Sequence, residues 1–78
     1  MPVLEIDQRV DAKRLSCPLP IVKTAQAIKA MTSGQVLEVL ATDPGSVKDF
    51  AAWSKTTGHE LVESGSDGAV FHFVIRKK

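Results

Sequence analysis

Gln35-Val36-Leu37-Glu38-Val39-Leu40-Ala41-Thr42 runs directly into Asp43-Pro44-Gly45-Ser46. The first eight residues are β-rich, with Leu37, Val39 and Ala41 on one face and Val36, Glu38 and Leu40 on the other. Glu38 marks the outer face. Asp43-Pro44 offers a helix N-cap followed by proline at the first helical position, and Ser46 to Asp49 supply a second capping signal one turn inside. The helix that follows carries Val47, Phe50, Ala51 and Ser54 on one stripe, with Trp53 at its border, and Gly58 ends it.

Upstream, residues 18–32 form a helix with Ile21, Ala25 and Ile28 as the firmest apolar series, closed by Ser33-Gly34 with Gly34 as a left-handed cap. Val3–Val10 is the first strand. Downstream, His59–Glu63 and Ala69–Arg76 are strands joined by Ser64-Gly65-Ser66-Asp67-Gly68, whose Asp-Gly pair signals a hairpin. The order is β-α-β-α-β-β. Right-handed crossovers then give an α/β (α+β) two-layer sandwich, a four-stranded mixed sheet with both helices on one face. The other face is left uncovered, with Val36 and Leu40 beside Glu38. That is either a partner-binding surface or, more ordinarily, the scattered apolar exposure of a small domain.

A chain of 78 residues, 44% hydrophobic and 24% charged, is expected to form a single domain over residues 1–78 with a thin core. One cysteine permits no intramolecular disulfide and no all-cysteine metal site, which fits a reducing cytoplasm. No metal or cofactor is implied. No apolar run has the length of a membrane span, and there is no signal-type N-terminus, so a soluble cytoplasmic protein is expected. A net charge of +1, no tyrosine and only three Phe and one Trp argue against stable nucleic-acid binding. Arg76-Lys77-Lys78 reads as a solvated tail.

The chemistry centres on Cys17 in Leu15-Ser16-Cys17-Pro18-Leu19-Pro20. Pro18 disfavours the α region for the residue before it, so Cys17 reads as N-cap and Pro18 as N1. Pro20 falls at N3, where its missing N–H has no intrahelical partner to lose, and free N–H groups remain at Leu19 and Ile21. A thiol at a helix N-terminus can have its pKa lowered from about 8.5 into the range of roughly 3.5–7.5. Lys13, Arg14 and Lys23 add cationic charge nearby. The bland alternative is that Cys17 is a small buried apolar residue. His59 and His72 are distant in sequence and make poor candidates for a catalytic base, while Asp11 reads as a turn or strand-end cap. With no second cysteine, a dithiol oxidoreductase is excluded and sulfur must pass to another molecule.

Asp11-Ala12-Lys13-Arg14-Leu15-Ser16-Cys17-Pro18-Leu19-Pro20, with Thr42-Asp43-Pro44-Gly45 and Thr57-Gly58-His59-Glu60-Leu61, resembles the TusA/SirA family of small sulfur-carrier proteins over nearly the whole chain. The resemblance implies the same β-α-β-α-β-β sandwich. It also implies that Cys17 accepts sulfane sulfur from a donor protein, such as a cysteine desulfurase or a rhodanese, and carries it as a persulfide to an acceptor protein. In members serving oxidative sulfur metabolism the cargo can be a thiosulfonate. Two positions depart from the pattern. Arg14 stands where the family usually has glycine, and Leu19 lies between the prolines where members serving transfer-RNA thiolation often have an acidic residue. A regulatory or nucleic-acid-binding module is the alternative function, since the order is also similar to that of the C-terminal domain of translation initiation factor three. A purely structural subunit is the third reading.

Overall fold

The computed structural model describes residues 6–16 and 19–78. Six elements follow in the order β1 (Gln8–Ala12), α1 (Leu19–Lys29), β2 (Val36–Ala41), α2 (Ser46–Thr57), β3 (Glu60–Asp67) and β4 (Val70–Arg76). The sheet order is β1-β2-β4-β3, with β1 parallel to β2 and β4 antiparallel to both β2 and β3. This is the mixed sheet expected from the sequence. Strand alternation turns Val10, Ala12, Leu37, Val39, Ala41, Phe73 and Ile75 to one side, where they form one cluster with Ile28 and Met31 from the α1 side and Phe50 from α2. Both helices therefore cover the same face. Phe50 stacks on Phe73 with centroids 4.4 Å apart, and Trp53 meets Phe50 edge-on at 6.1 Å.

The first strand lies later than residues 3–10. Pairing with β2 sets its start, since Gln8 lies opposite Leu37 and the Asp7 N–H donates to the Val36 carbonyl at 2.9 Å. The Asp7 carboxylate accepts in return from the Val36 N–H at 2.8 Å. Residues 3–5 of the expected strand lie outside the described residues.

Both helices bury a stripe different from the apolar series. In α1 the buried residues are Pro20, Thr24 and Ile28, while Ile21 and Ala25 are only partly covered. Thr24 is tolerated inside because its hydroxyl donates to the Pro20 carbonyl at 2.8 Å, one turn back on its own helix. In α2 Ser46 and Phe50 are buried, Trp53 and Thr57 half-buried, and Val47 and Ala51 exposed. α2 also starts later than Asp43-Pro44. The Asp43 carboxylate accepts from the Gly45 N–H at 3.1 Å, closing a turn ahead of the helix and leaving Gly45 as N-cap without a side-chain cap bond. Gly58 ends α2 as expected, at φ 84° with its N–H on the Ser54 carbonyl.

α1 stops at Lys29, not Thr32, and tightens through bonds from Ala30 to Ala27 and from Met31 to Ile28. Gly34 is left-handed at φ 89°, but it serves the entry to β2, its N–H bonding the Lys77 carbonyl at 2.8 Å. The C-terminal residues are likewise no solvated tail. Arg76 belongs to β4, Lys77 N–H donates to the Gln35 carbonyl, and Lys78 N–H donates to His59 Nδ1 at 3.0 Å.

β3 extends to Asp67, so Ser64, Gly65 and Ser66 are strand and not loop. Pairing with β4 overrides their turn-like composition, and the Asp67–Val70 pair leaves a two-residue connection, Gly68-Ala69. Val36, expected to be exposed on the outer face, is only 5% exposed because the register sets it beside Arg76 of β4, a residue with a long aliphatic stem.

Candidate functional site

The two parallel strands end side by side, and the segments leaving them are bonded together. The Arg14 N–H donates to Thr42 Oγ1 at 2.9 Å, and the Leu15 N–H to the Ala12 carbonyl at 3.3 Å. Asp11 caps this loop through its carboxylate, which accepts from the Lys13 N–H at 3.0 Å, so its structural role holds. Lys23 reaches back from α1 to the Asp11 carbonyl at 2.7 Å. Lys13 and Arg14 are exposed on the loop.

Arg14 has φ 70°, the one non-glycine residue with positive φ among the described residues. The loop thus keeps the left-handed conformation for which glycine is suited, and Arg14 bears the strain. That region costs a non-glycine residue about 1–2 kcal/mol, while a glycine adds about 0.4–1 kcal/mol of freedom to the unfolded chain. Arg14→Gly should therefore stabilise the protein by roughly 0.5–1 kcal/mol, a rise of about 3–6 °C in thermal midpoint. An unchanged or lower midpoint would mean that the arginine side chain contributes more than its backbone costs.

Cys17 and Pro18 lie outside the described residues. On either side of them in sequence, the Leu19 N–H donates to the Ser16 carbonyl at 2.8 Å, so the Leu19 N–H expected to be free is engaged. α1 begins at Leu19, which makes Pro20 its second residue, fully buried. The first turns of both helices carry exposed apolar side chains, Leu19 and Val22 on α1 and Val47 on α2. Sequence reasoning missed Thr42 as the anchor of the loop. Its place directly after the last inward residue of β2 was the available signal.

Among the described residues, neither histidine is bonded to this loop. His72 Nε2 lies 3.1 Å from Glu63 Oε1 on the outer sheet face. His59 stacks at 5.3 Å on Trp53 and accepts the Lys78 N–H through Nδ1. Burial, followed by the charges of Lys77 and Lys78, holds the His59 pKa below its ordinary 6.5. Since the unfolded chain takes up this proton first, stability is full above 6.5 and falls as the pH drops through that value. Thermal midpoints measured at about pH 7.5 and about pH 5.5 should diverge more for the parent than for His59→Gln. Equal divergence would remove His59 as the cause. Among the described residues no group of three or more His, Cys, Asp or Glu is placed to hold a metal ion. No described helix is long and apolar enough to cross a membrane.

The sequence profile of the family described as Sulfurtransferase TusA matches residues 8–77. The chain belongs to the TusA family. The Sulfur carrier protein TusA of Allochromatium vinosum is 58% identical over 73 residues, 94% of this chain and 96% of that one. YrkI of Bacillus subtilis is 47% identical over 74 residues, 95% of this chain and 99% of that protein. The crystal structure of a SirA-like protein from Desulfitobacterium hafniense superposes with a TM-score of 0.77 at 22% identity, covering 88% of this chain and 95% of that one, and shows the same fold. TusA proteins carry sulfur, and sulfur carriage between donor and acceptor proteins is the function of this chain. The nucleic-acid-binding alternative is not favoured.

Proposed function

We propose that residues 1–78 act as a single carrier unit that takes sulfane sulfur on Cys17 as a persulfide and hands it to an acceptor protein in the cytoplasm. The support is the pair of fixed flanks. Arg14 is tied to Thr42 on one side of the cysteine in sequence, and α1 opens at Leu19 on the other. A helix starting two residues after a thiol favours its thiolate, and the exposed Lys13 and Arg14 add positive potential at the same loop. Pro18 and Pro20 restrict the backbone through which the sulfur is presented.

In the transfer the Cys17 thiolate attacks the outer sulfur of a donor persulfide. A new S–S bond forms at Cys17, the donor S–S bond breaks, and the donor leaves as thiolate, with no net oxidation. A nucleophile of the acceptor then takes the outer sulfur and Cys17 returns as thiolate. A cysteine desulfurase or a rhodanese supplies donor chemistry of this kind, and Leu19 between the prolines points away from the transfer-RNA-thiolation branch.

Intact mass after incubation with a persulfide donor, thiosulfate or tetrathionate tests the reading. Gain of one sulfur atom, confined to Cys17 and reversed by reductant, is expected. A thiosulfonate mass would replace the persulfide as cargo, and no reductant-sensitive adduct on Cys17 would end the proposal.

A further inference from the structure

The face of the sheet turned away from the helices is neither flat nor neutral. It holds a concavity of about 430 Å³ with Leu40, Val70 and Val74 as its apolar floor and Glu38, Glu63 and Asp67 around it. Among the described residues, strand alternation turns five carboxylates outward on this face, those of Asp11, Glu38, Glu60, Glu63 and Asp67, against the two guanidinium groups of Arg9 and Arg76. With His72 left out of the count, five against two leaves an excess of three carboxylates among the described residues of one face, in a chain whose formal net charge is +1. The compensating positive charge lies elsewhere on the molecule.

The middle of the face is built around a close approach. Gly65 lies opposite His72, and a Cβ at Gly65 would come within 2.9 Å of the imidazole. The ring leans over the β3 backbone toward Glu63, 3.1 Å away, and forms part of the wall. Arg9 pairs with Glu38 at 3.0 Å and Arg76 with Glu60 at 3.1 Å, so both arginines on the face are already engaged. Among the described residues the Asp67 carboxylate makes no hydrogen bond or ion pair, and it stands at the open hairpin end of the concavity.

We infer that this face docks a partner protein through a segment carrying Lys or Arg on both sides of an aliphatic side chain. The aliphatic group would cover the Leu40, Val70 and Val74 floor, while the cations meet Asp67 and Glu63. Nucleic acid, an anionic membrane and a second copy presenting this same face are all repelled by its charge. The occupant would sit on the layer opposite α1 and α2. The carrier could thus be held by one surface while the loop before α1 serves its donors and acceptors. The inference does not depend on Cys17.

The test is a titration of the isotope-labelled full chain with the capped peptide Lys-Val-Arg-Leu-Lys, followed by amide chemical shifts, with Glu-Val-Glu-Leu-Glu as control. Shifts centred on Leu40, Glu63, Asp67 and Val74 with the basic peptide alone are expected. Glu63→Lys with Asp67→Lys should weaken binding about tenfold or more while sulfur loading, read by mass, is unchanged. Because the shift map uses the parent protein, it stands even where a variant folds poorly. Shifts centred elsewhere, equal response to the acidic peptide, or unweakened binding by the folded double variant would overturn the inference. So would concentration-dependent shifts on this face without peptide, which would make a second copy its occupant.

Discussion

Cys17→Ser is expected to abolish sulfur loading altogether while moving the thermal midpoint by no more than a few degrees. Serine presents a hydroxyl of similar size that can also cap a helix, so an exposed carrier residue loses its chemistry and little else; surface changes of this kind stay within about 0.5 kcal/mol. The discriminating pair of measurements is intact mass after exposure to a persulfide donor and a melting curve on the same sample. Loading that persists in the variant would place the sulfur on another group. A collapse of the melt would favour the buried apolar reading of Cys17, because a hydroxyl taken out of water without a partner is costly.

The second large effect falls on stability. Phe50→Ala should cost about 3–5 kcal/mol, the range for removing a buried aromatic ring. A domain of this size has only about 4–12 kcal/mol to lose. Phe50 is fully buried and is the side chain through which α2 reaches the sheet, against Phe73, while Trp53 leans on its edge. A drop of at least about 15 °C in midpoint, or loss of a cooperative transition, is expected by circular dichroism. A shift below about 5 °C would show that the aromatic stack does not join the two layers.

The order of elements was legible because its signals are local and agree with one another. Leu37, Val39 and Ala41 alternate cleanly, Gly58 takes the left-handed cap its position suggests, and the final hairpin turns at Gly68-Ala69, beside the expected Asp-Gly pair. Helix faces were less legible, since periodicity follows apolar residues, whereas packing selects whatever side chain fills the space, a buried hydroxyl included. Thr24 goes inside by bonding its own helix, and Val47 stays outside in place of Ser46. The extent of β3 was hidden for another reason. Ser64-Gly65-Ser66 has the composition of a loop, and only pairing with β4, 5 to 9 residues further along the chain, makes it a strand. At the loop before α1, the departure at Arg14 marked the position where the backbone is strained, but the Thr42 oxygen that holds it comes from a different part of the chain.

The pinned C-terminal residues give the molecule a usable polarity. Arg76 pairs with Val36, where β2 begins, while Thr42, anchor of the strained loop, follows the other end of that strand. Anything joined beyond Lys78, whether an affinity handle, a fluorophore or a fused partner, therefore leaves from the pole remote from the loop. A carrier tethered to a sensor surface in that orientation would show the loop before α1, the proposed place of sulfur loading, to the solution, so binding kinetics could be measured without the attachment competing for that loop. A long rigid fusion at that position would carry a different penalty: it would pull on the bonds that Lys77 and Lys78 make to Gln35 and His59, and the strain would register in the fold before it reached the chemistry.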